Sequence, residues 1–233
     1  QSKNRYRNQE QVVNTARGFR CRGIPGDVVV IDWCWFKYFG FLKWVKEDWP
    51  DPEGMFSELK RLGFKVILAQ HPYSHGESPY FNEFLIVSDR KVLIDGWPPD
   101  NIKHAVDFSN PAARKLWWKI ISDFAHRGLS GYWSDMGELE VHPPSSKGHF
   151  IGPRERMHNL YSLFWARALY EGHRESLDTR VFNLARATFS GIWRYGVAMW
   201  SGDVDPSWEV MADQVIIGQQ AGLSGMPYWG TDI

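Results

Sequence analysis

The chain has 233 residues, and its 27 Lys and Arg balance 27 Asp and Glu. That length suits one large α/β domain with a sizeable core, and zero net charge lacks the clustered cations that phosphate binding needs, so nucleic acid is not an expected partner. No apolar run reaches the roughly 18 residues of a membrane-spanning helix, so no membrane partner is expected either. Two cysteines, Cys21 and Cys34, allow one bridge at most and no four-thiolate metal site. The first residue is Gln1, so the lack of a leader leaves the compartment open. The 13 Trp exceed what a core of this size needs, and many sit beside Asp, Gly or Pro. About half fit the core by the general tendency of aromatics to bury. The others ask for a surface on which flat ligands stack.

In chain order, a helix is expected over about 7–20, then a strand at Val28-Val29-Val30-Ile31. Asp51-Pro52 opens a helix whose apolar stripe is Met55, Leu59 and Leu62 and which stops at Gly63. Pro is preorganised for the first helical position, the preceding Asp or Asn caps free N–H groups, and Gly accepts the left-handed stop. A strand follows at 66–69, then a long connection over about 71–108. Asn110-Pro111 opens the next helix, with Leu116, Trp117, Ile120, Ile121 and Phe124, ending at Gly128. After a strand at 131–133 comes a second long connection, about 136–155, and a helix over about Met157–Glu171. Strands are expected at 181–184 and 197–200. Asp205-Pro206 opens a last helix on Trp208, Met211, Val215 and Ile216, closing at Gly222 before a strand at 226–229. Short apolar runs alternating with helices read as a parallel sheet covered on both faces. No repeat, low-complexity tract or linker divides the chain, so 1–233 reads as one α/β domain. A doubly wound nucleotide-binding sheet should carry Gly-x-Gly-x-x-Gly or a P-loop after its first strand. Neither occurs, which favours a barrel.

Polar residues stand at or just past the ends of the expected strands: Asp32, His71, Asp135, Arg186, Asp203 and Asp232. In a parallel barrel these ends converge on the face that carries active sites. An Asp after a strand is more often a cap, and Asp51 and Asp205 are read as caps because Pro follows each. Four of the six are carboxylates, and two carboxylates with divergent pKa values across a barrel mouth suit cleavage of a glycosidic bond. Metal hydrolysis would want His-x-His after an early strand or His-Glu-x-x-His, and both are missing; His71 and His75 are a weak loop pair. No metal and no cofactor are expected. The Gly-x-Ser-x-Gly elbow of serine hydrolases is also missing. Asp135 and Asp203 each have a Trp shortly upstream, Trp133 and Trp200. Indole faces beside carboxylates give a sugar ring something to stack on, so an oligosaccharide or glycoside is the expected substrate.

The motifs Val-Ile-Asp-Trp-Cys-Trp-Phe (30–36), Trp-Pro-Asp-Pro-Glu-Gly-Met (49–55), Gly-Phe-Lys-Val-Ile-Leu (63–68), Trp-Ser-Asp-Met-Gly-Glu (133–138), Arg-Ala-Thr-Phe-Ser-Gly (186–191), Trp-Ser-Gly-Asp (200–203) and Gly-Met-Pro-Tyr-Trp-Gly-Thr-Asp-Ile (225–233) follow one another in this order. Together they resemble glycoside hydrolase family 31, the α-glucosidase and α-xylosidase family, over essentially the whole chain. The resemblance implies a retaining exo-α-glycosidase on a (β/α)8 TIM barrel that is incomplete here, about strands two to seven being present. Other domains of a longer protein are expected to flank it, and an isolated 1–233 is expected to fold poorly. By their contexts Asp135 matches the family nucleophile and Asp203 its acid/base. Asp32 and Asp232 match carboxylates that bind sugar hydroxyls, and Arg186 matches an Arg near the acid/base. Trp133, Met136 and Trp200 match the apolar lining, while Glu138 is assigned a structural role. Retention implies carboxyl groups about 5–5.5 Å apart. Gly137, where many α-glucosidases of the family carry Asn, is familiar from its α-xylosidase and sulfoquinovosidase branches. Trp33 stands where those α-glucosidases often have Ile and could crowd a C6 hydroxymethyl group. The terminal sugar therefore stays open. The alternative of another class is a barrel that binds carbohydrate without cleaving it.

Overall fold

The computed structural model describes residues 6–87, 103–139 and 149–232. Six strands form one parallel sheet: β1 (Val28–Ile31), β2 (Lys65–Gln70), β5 (Gly131–Ser134), β6 (Asn183–Ala185), β7 (Val197–Trp200) and β8 (Trp229–Gly230). Their order across the sheet is their order along the chain. A doubly wound sheet reverses direction at a switch point, whereas a barrel adds each new strand beside the last. This sheet has no reversal and is an arc of a barrel.

The pleat sorts the side chains of this arc. Val30, Ile67, Ala69, Trp133, Leu184 and Trp200 share one cluster on the inner face. Their alternates Val29, Ile31, Val66, Leu68 and Tyr132 belong to the large helix-covered core, and Ala185, Val197 and Met199 to a second outer cluster. A period of two is what a strand imposes on its side chains.

Helices α1 (Gln9–Cys21), α2 (Pro52–Arg61), α4 (Pro111–His126), α6 (Tyr161–Ser176) and α7 (Trp208–Leu223) accompany the sheet. The Asx-Pro starts behave as expected at two of three sites. The Asp51 carboxylate accepts from Gly54 N–H at 2.9 Å, and Asn110 from Ala112 N–H at 2.9 Å. At the third the cap is Ser207, whose hydroxyl accepts from Val210 N–H at 3.2 Å, so Asp205 is not the cap and Pro206 lies outside the helix.

Four further expectations are corrected. The connection 71–108 contains an antiparallel pair, β3 (Tyr73–His75) and β4 (Lys103–Ala105), and α3 (Phe81–Val87). Three-residue strands carry too little periodicity to be read in advance. The fourth helix starts at Tyr161, after a short turn α5 (Arg154–Met157), and runs through Gly172 to Ser176. At Gly172 a Cβ would meet Trp118 of α4 at 2.1 Å: the glycine lets the two helices close up. The strands expected at 181–184 and 226–229 pair only over Asn183–Ala185 and Trp229–Gly230. Finally, the stripe on α7 is not buried, Trp208 being 82% and Met211 60% exposed: Met211, Val215 and Gly218 share one helix face and, with Trp229 and Asp232, line a pocket beside the last strand of the sheet. Gly218 lies so close to Trp229 that a Cβ would stand 2.8 Å away. The second long connection is described only at its ends, 140–148 lying outside the described residues.

Among the described residues no helix is long and apolar enough to cross a membrane. No group of three or more His, Cys, Asp or Glu among them is arranged to hold a metal ion.

Candidate active site

The pleat that builds the inner face also aims the candidate residues. Val30, Ala69, Trp133 and Leu184 point inward, so on the same period the residues two further on, Asp32, His71, Asp135 and Arg186, leave the strand ends on the inner side. By the same count Asp232 follows Gly230. Asp203 breaks the count and sits beyond Gly202, whose φ of +78° turns the chain after β7.

Asp135 is the centre of this group. Its backbone N–H donates to Gln70 at 3.1 Å, which ties its position to β2. Oδ1 accepts from Met136 N–H at 2.8 Å and forms an ion pair with Arg186 Nη1 at 3.2 Å, and Oδ2 is 3.2 Å from His71 Nε2. Met136 has φ +58°, the left-handed region that non-glycine residues enter at a cost of roughly 1–2 kcal/mol. Burial works to raise the Asp135 pKa. It is outweighed by the hydrogen bond and positive potential from His71, by the Arg186 guanidinium and by the Met136 N–H, and the pKa is lowered from the usual Asp value. At neutral pH Asp135 is therefore a fixed carboxylate.

Arg186 connects this carboxylate to two others. Nη2 pairs with Glu138, and Nη1 lies 4.0 Å from Asp203 Oδ2 as well as 3.2 Å from Asp135 Oδ1. The two Asp oxygens are thus at most 7.2 Å apart, the sum of 3.2 and 4.0 Å. The Asp203 side chain is 74% exposed against 16% for Asp135.

The other candidates fall into two flanking groups. Trp133 and Trp200 meet edge to face with ring centres 5.2 Å apart, and Trp200 Nε1 donates to Asp232 at 2.6 Å. On the opposite side Asp32 accepts from Trp33 N–H at 2.8 Å. The Trp33 ring packs on Phe39 at 5.8 Å, and Phe39 on His71 at 4.1 Å. Met136 packs against the large core. His71 and His75 do not act as a pair: His75 stacks on Tyr38 at 4.3 Å and its Nδ1 accepts from Glu77 N–H.

Two residues have more to do here than the sequence suggested. Glu138, assigned a structural role, is the partner that orients Arg186. His71, noted as a strand-end polar residue and a poor metal ligand, contacts Asp135 directly. The signal for His71 was its inward parity, two residues after Ala69 in an inner-face strand.

The whole chain, residues 1–233, matches the model of the glycosyl hydrolases family 31 TIM-barrel domain. It is 32% identical over 241 residues to a protein described as "Uncharacterized family 31 glucosidase ORF2" of Pseudescherichia vulneris, covering 100% of this chain and 45% of that protein. It is 31% identical to an alpha-xylosidase of Saccharolobus solfataricus, covering 100% of this chain and 32% of that one. A GH31 alpha-xylosidase from a soil metagenome, solved with xylose, superposes with a TM-score of 0.89 at 28% identity over 98% of this chain and 35% of its own. The chain thus spans less than half the length of these relatives. Matched from end to end by the barrel model, and with its strands laid down in chain order around one mouth, this chain belongs to glycosyl hydrolase family 31.

Proposed function

We propose that the protein carrying this chain is a retaining exo-α-glycosidase of α-glucosidase type, with residues 1–233 forming part of a single catalytic barrel domain. The observation that carries the reading is one guanidinium shared by two carboxylates at the strand ends, Arg186 Nη1 lying 3.2 Å from Asp135 and 4.0 Å from Asp203. A bound of 7.2 Å between their oxygens accommodates the roughly 5–5.5 Å of a double displacement.

In the first step Asp135 forms an ester bond to the anomeric carbon as the bond to the departing oxygen breaks. Asp203 gives that oxygen its proton. Water then attacks the same carbon, its proton passes to Asp203, and the ester bond breaks to return Asp135 as a carboxylate. Two inversions leave the α configuration unchanged. Asp32 and Asp232 accept hydrogen bonds from the terminal sugar, and Trp133 and Trp200 provide its apolar wall.

A second reading, an α-xylosidase, is favoured by Trp33, which follows Asp32, donates its backbone N–H to that carboxylate and packs its ring on Phe39. A bulky ring there leaves a pentose better accommodated than a hexose with its hydroxymethyl group. One experiment tests both: the full-length protein is offered chromogenic α-glucosides, α-xylosides, α-galactosides and sulfoquinovosides while the product anomer is followed by NMR. An initial α product from an α-glucoside supports the first reading, and a preference for the α-xyloside the second. A β product refutes retention. Binding with no turnover of any substrate leaves the non-catalytic carbohydrate-binding barrel.

A further inference from the structure

The two oxygens of Asp135 are not equivalent. Oδ1 accepts a hydrogen bond from Met136 N–H at 2.8 Å and forms an ion pair with Arg186 Nη1 at 3.2 Å. The amide and the guanidinium therefore both bear on Oδ1. Among the described residues Oδ2 has one hydrogen-bond partner, His71 Nε2 at 3.2 Å, which leaves its second lone-pair direction open there. Oδ2 is then the oxygen able to attack a carbon, and His71 is the residue that touches it.

His71 is held for this contact. It is 1% exposed and directly follows β2, clamped between Phe36 at 5.7 Å and Phe39 at 4.1 Å. A carboxylate can only accept, so the proton sits on Nε2. Its other nitrogen, Nδ1, is buried with no hydrogen-bond partner among the described residues. Leaving a buried polar atom unpaired has a cost, and no local structural bond recovers it here.

We infer that His71 is a positioning residue that aims Oδ2 of Asp135 and sets the balance between forming and breaking the covalent glycosyl-enzyme. This rests on the reading of Asp135 as nucleophile. A donor on Oδ2 stabilises the free carboxylate more than the ester, because the oxygen loses its charge when it bonds to carbon. It therefore restrains the first step and promotes the second, in which the carboxylate is the leaving group. Removing the donor lets the ester accumulate. It also makes Asp135 harder to ionise. The titratable and charged groups facing Asp135 are His71 after β2, Arg186 after β6 and, across Arg186, Glu138 and Asp203. Of these only His71 would be altered.

The test uses the full-length protein with an activated aryl glycoside, comparing wild type with His71→Phe and His71→Met, which lack a donor, and His71→Gln, whose amide retains one. The two donorless variants are expected to move the acidic limb of kcat/KM to higher pH by about one pH unit and to lower kcat about tenfold. They should also show a pre-steady-state burst larger than the wild type's, while His71→Gln returns each quantity toward wild type. Met is the smaller and more flexible replacement and reads the same effect if Phe does not fit. Unchanged pH limb and burst in a folded donorless variant overturn the inference, as does failure of both donorless variants to fold, which would make His71 a structural residue. Asp135→Ala is assayed in parallel. If it stays active, the nucleophile reading itself falls; if it is inactive and the His71 variants match wild type, only the role of His71 falls.

Discussion

Asp135 and Asp203 lie within 7.2 Å of each other on one guanidinium and occupy opposite environments. Asp135 is 16% exposed, wedged between two strands and fixed by His71, Arg186 and its neighbour's N–H. Asp203 is 74% exposed on a loop turned by Gly202 and makes a loose 4.0 Å ion pair. The contrast suits the separate tasks proposed for the pair. A nucleophile must be ionised and aimed at one carbon, which demands several fixed donors. A proton donor must hold and release a proton with little reorganisation, and a tight salt bridge would oppose that. In the described residues the site is thus rigid on the β2–β5–β6 side and open on the β7 side.

The largest effects should come from the two carboxylates, and the kind of loss should differ. Asp135→Ala is expected to lower kcat/KM by on the order of 10⁴–10⁶-fold for every substrate, as loss of a nucleophile does. Asp203→Ala should cost about 10²–10⁴-fold on a natural disaccharide, the usual worth of general acid catalysis, and far less on an aryl glycoside whose leaving group needs no proton. Equal losses on both substrates would erase the division of labour. Next comes Arg186→Met, which takes the cation away from Asp135 and Glu138 in a partly buried site. It should lower stability by about 3 kcal/mol at neutral pH. Asp135, with its pKa lowered in the folded state, contributes stability that is present at neutral pH and lost as pH falls through that pKa. The penalty of the variant should accordingly shrink in acid, as thermal melts across pH would record. The smallest effect is expected of Trp200→Phe, which deletes the 2.6 Å bond to Asp232 but keeps an apolar ring. KM should rise about tenfold, with kcat nearly unchanged. A fall in kcat with KM constant would assign Trp200 to the chemistry instead.

Most of the architecture was legible in the sequence, for reasons that can be named. Asp51-Pro52 and Asn110-Pro111 announce helix starts because capping and a fixed φ act locally. Strand-end polar residues could be enumerated because parallel strands all present the same end to one face. What failed depended on distant packing. The helix expected to end at Glu171 continues through Gly172 because Trp118 packs against that glycine, and the apolar stripe of α7, read as core, stays exposed beside the last strand. At the site, the contexts of Asp135 and Asp203 carried their assignment, but their unequal exposure did not show in the sequence. Neither did the partners of Asp135 across the sheet: His71 is 64 positions away in the chain and reaches it through the pairing of β2 with β5.

The most direct measurement is to trap the covalent intermediate. The full-length protein is incubated with a slow-turnover fluorinated glycosyl donor of the preferred sugar, then weighed intact and mapped by peptide mass spectrometry. One glycosyl adduct on the peptide that contains Asp135, absent from Asp135→Ala, is the predicted result. An adduct on Asp203, or turnover with inversion and no adduct at all, would contradict Asp135 as the nucleophile of a double displacement.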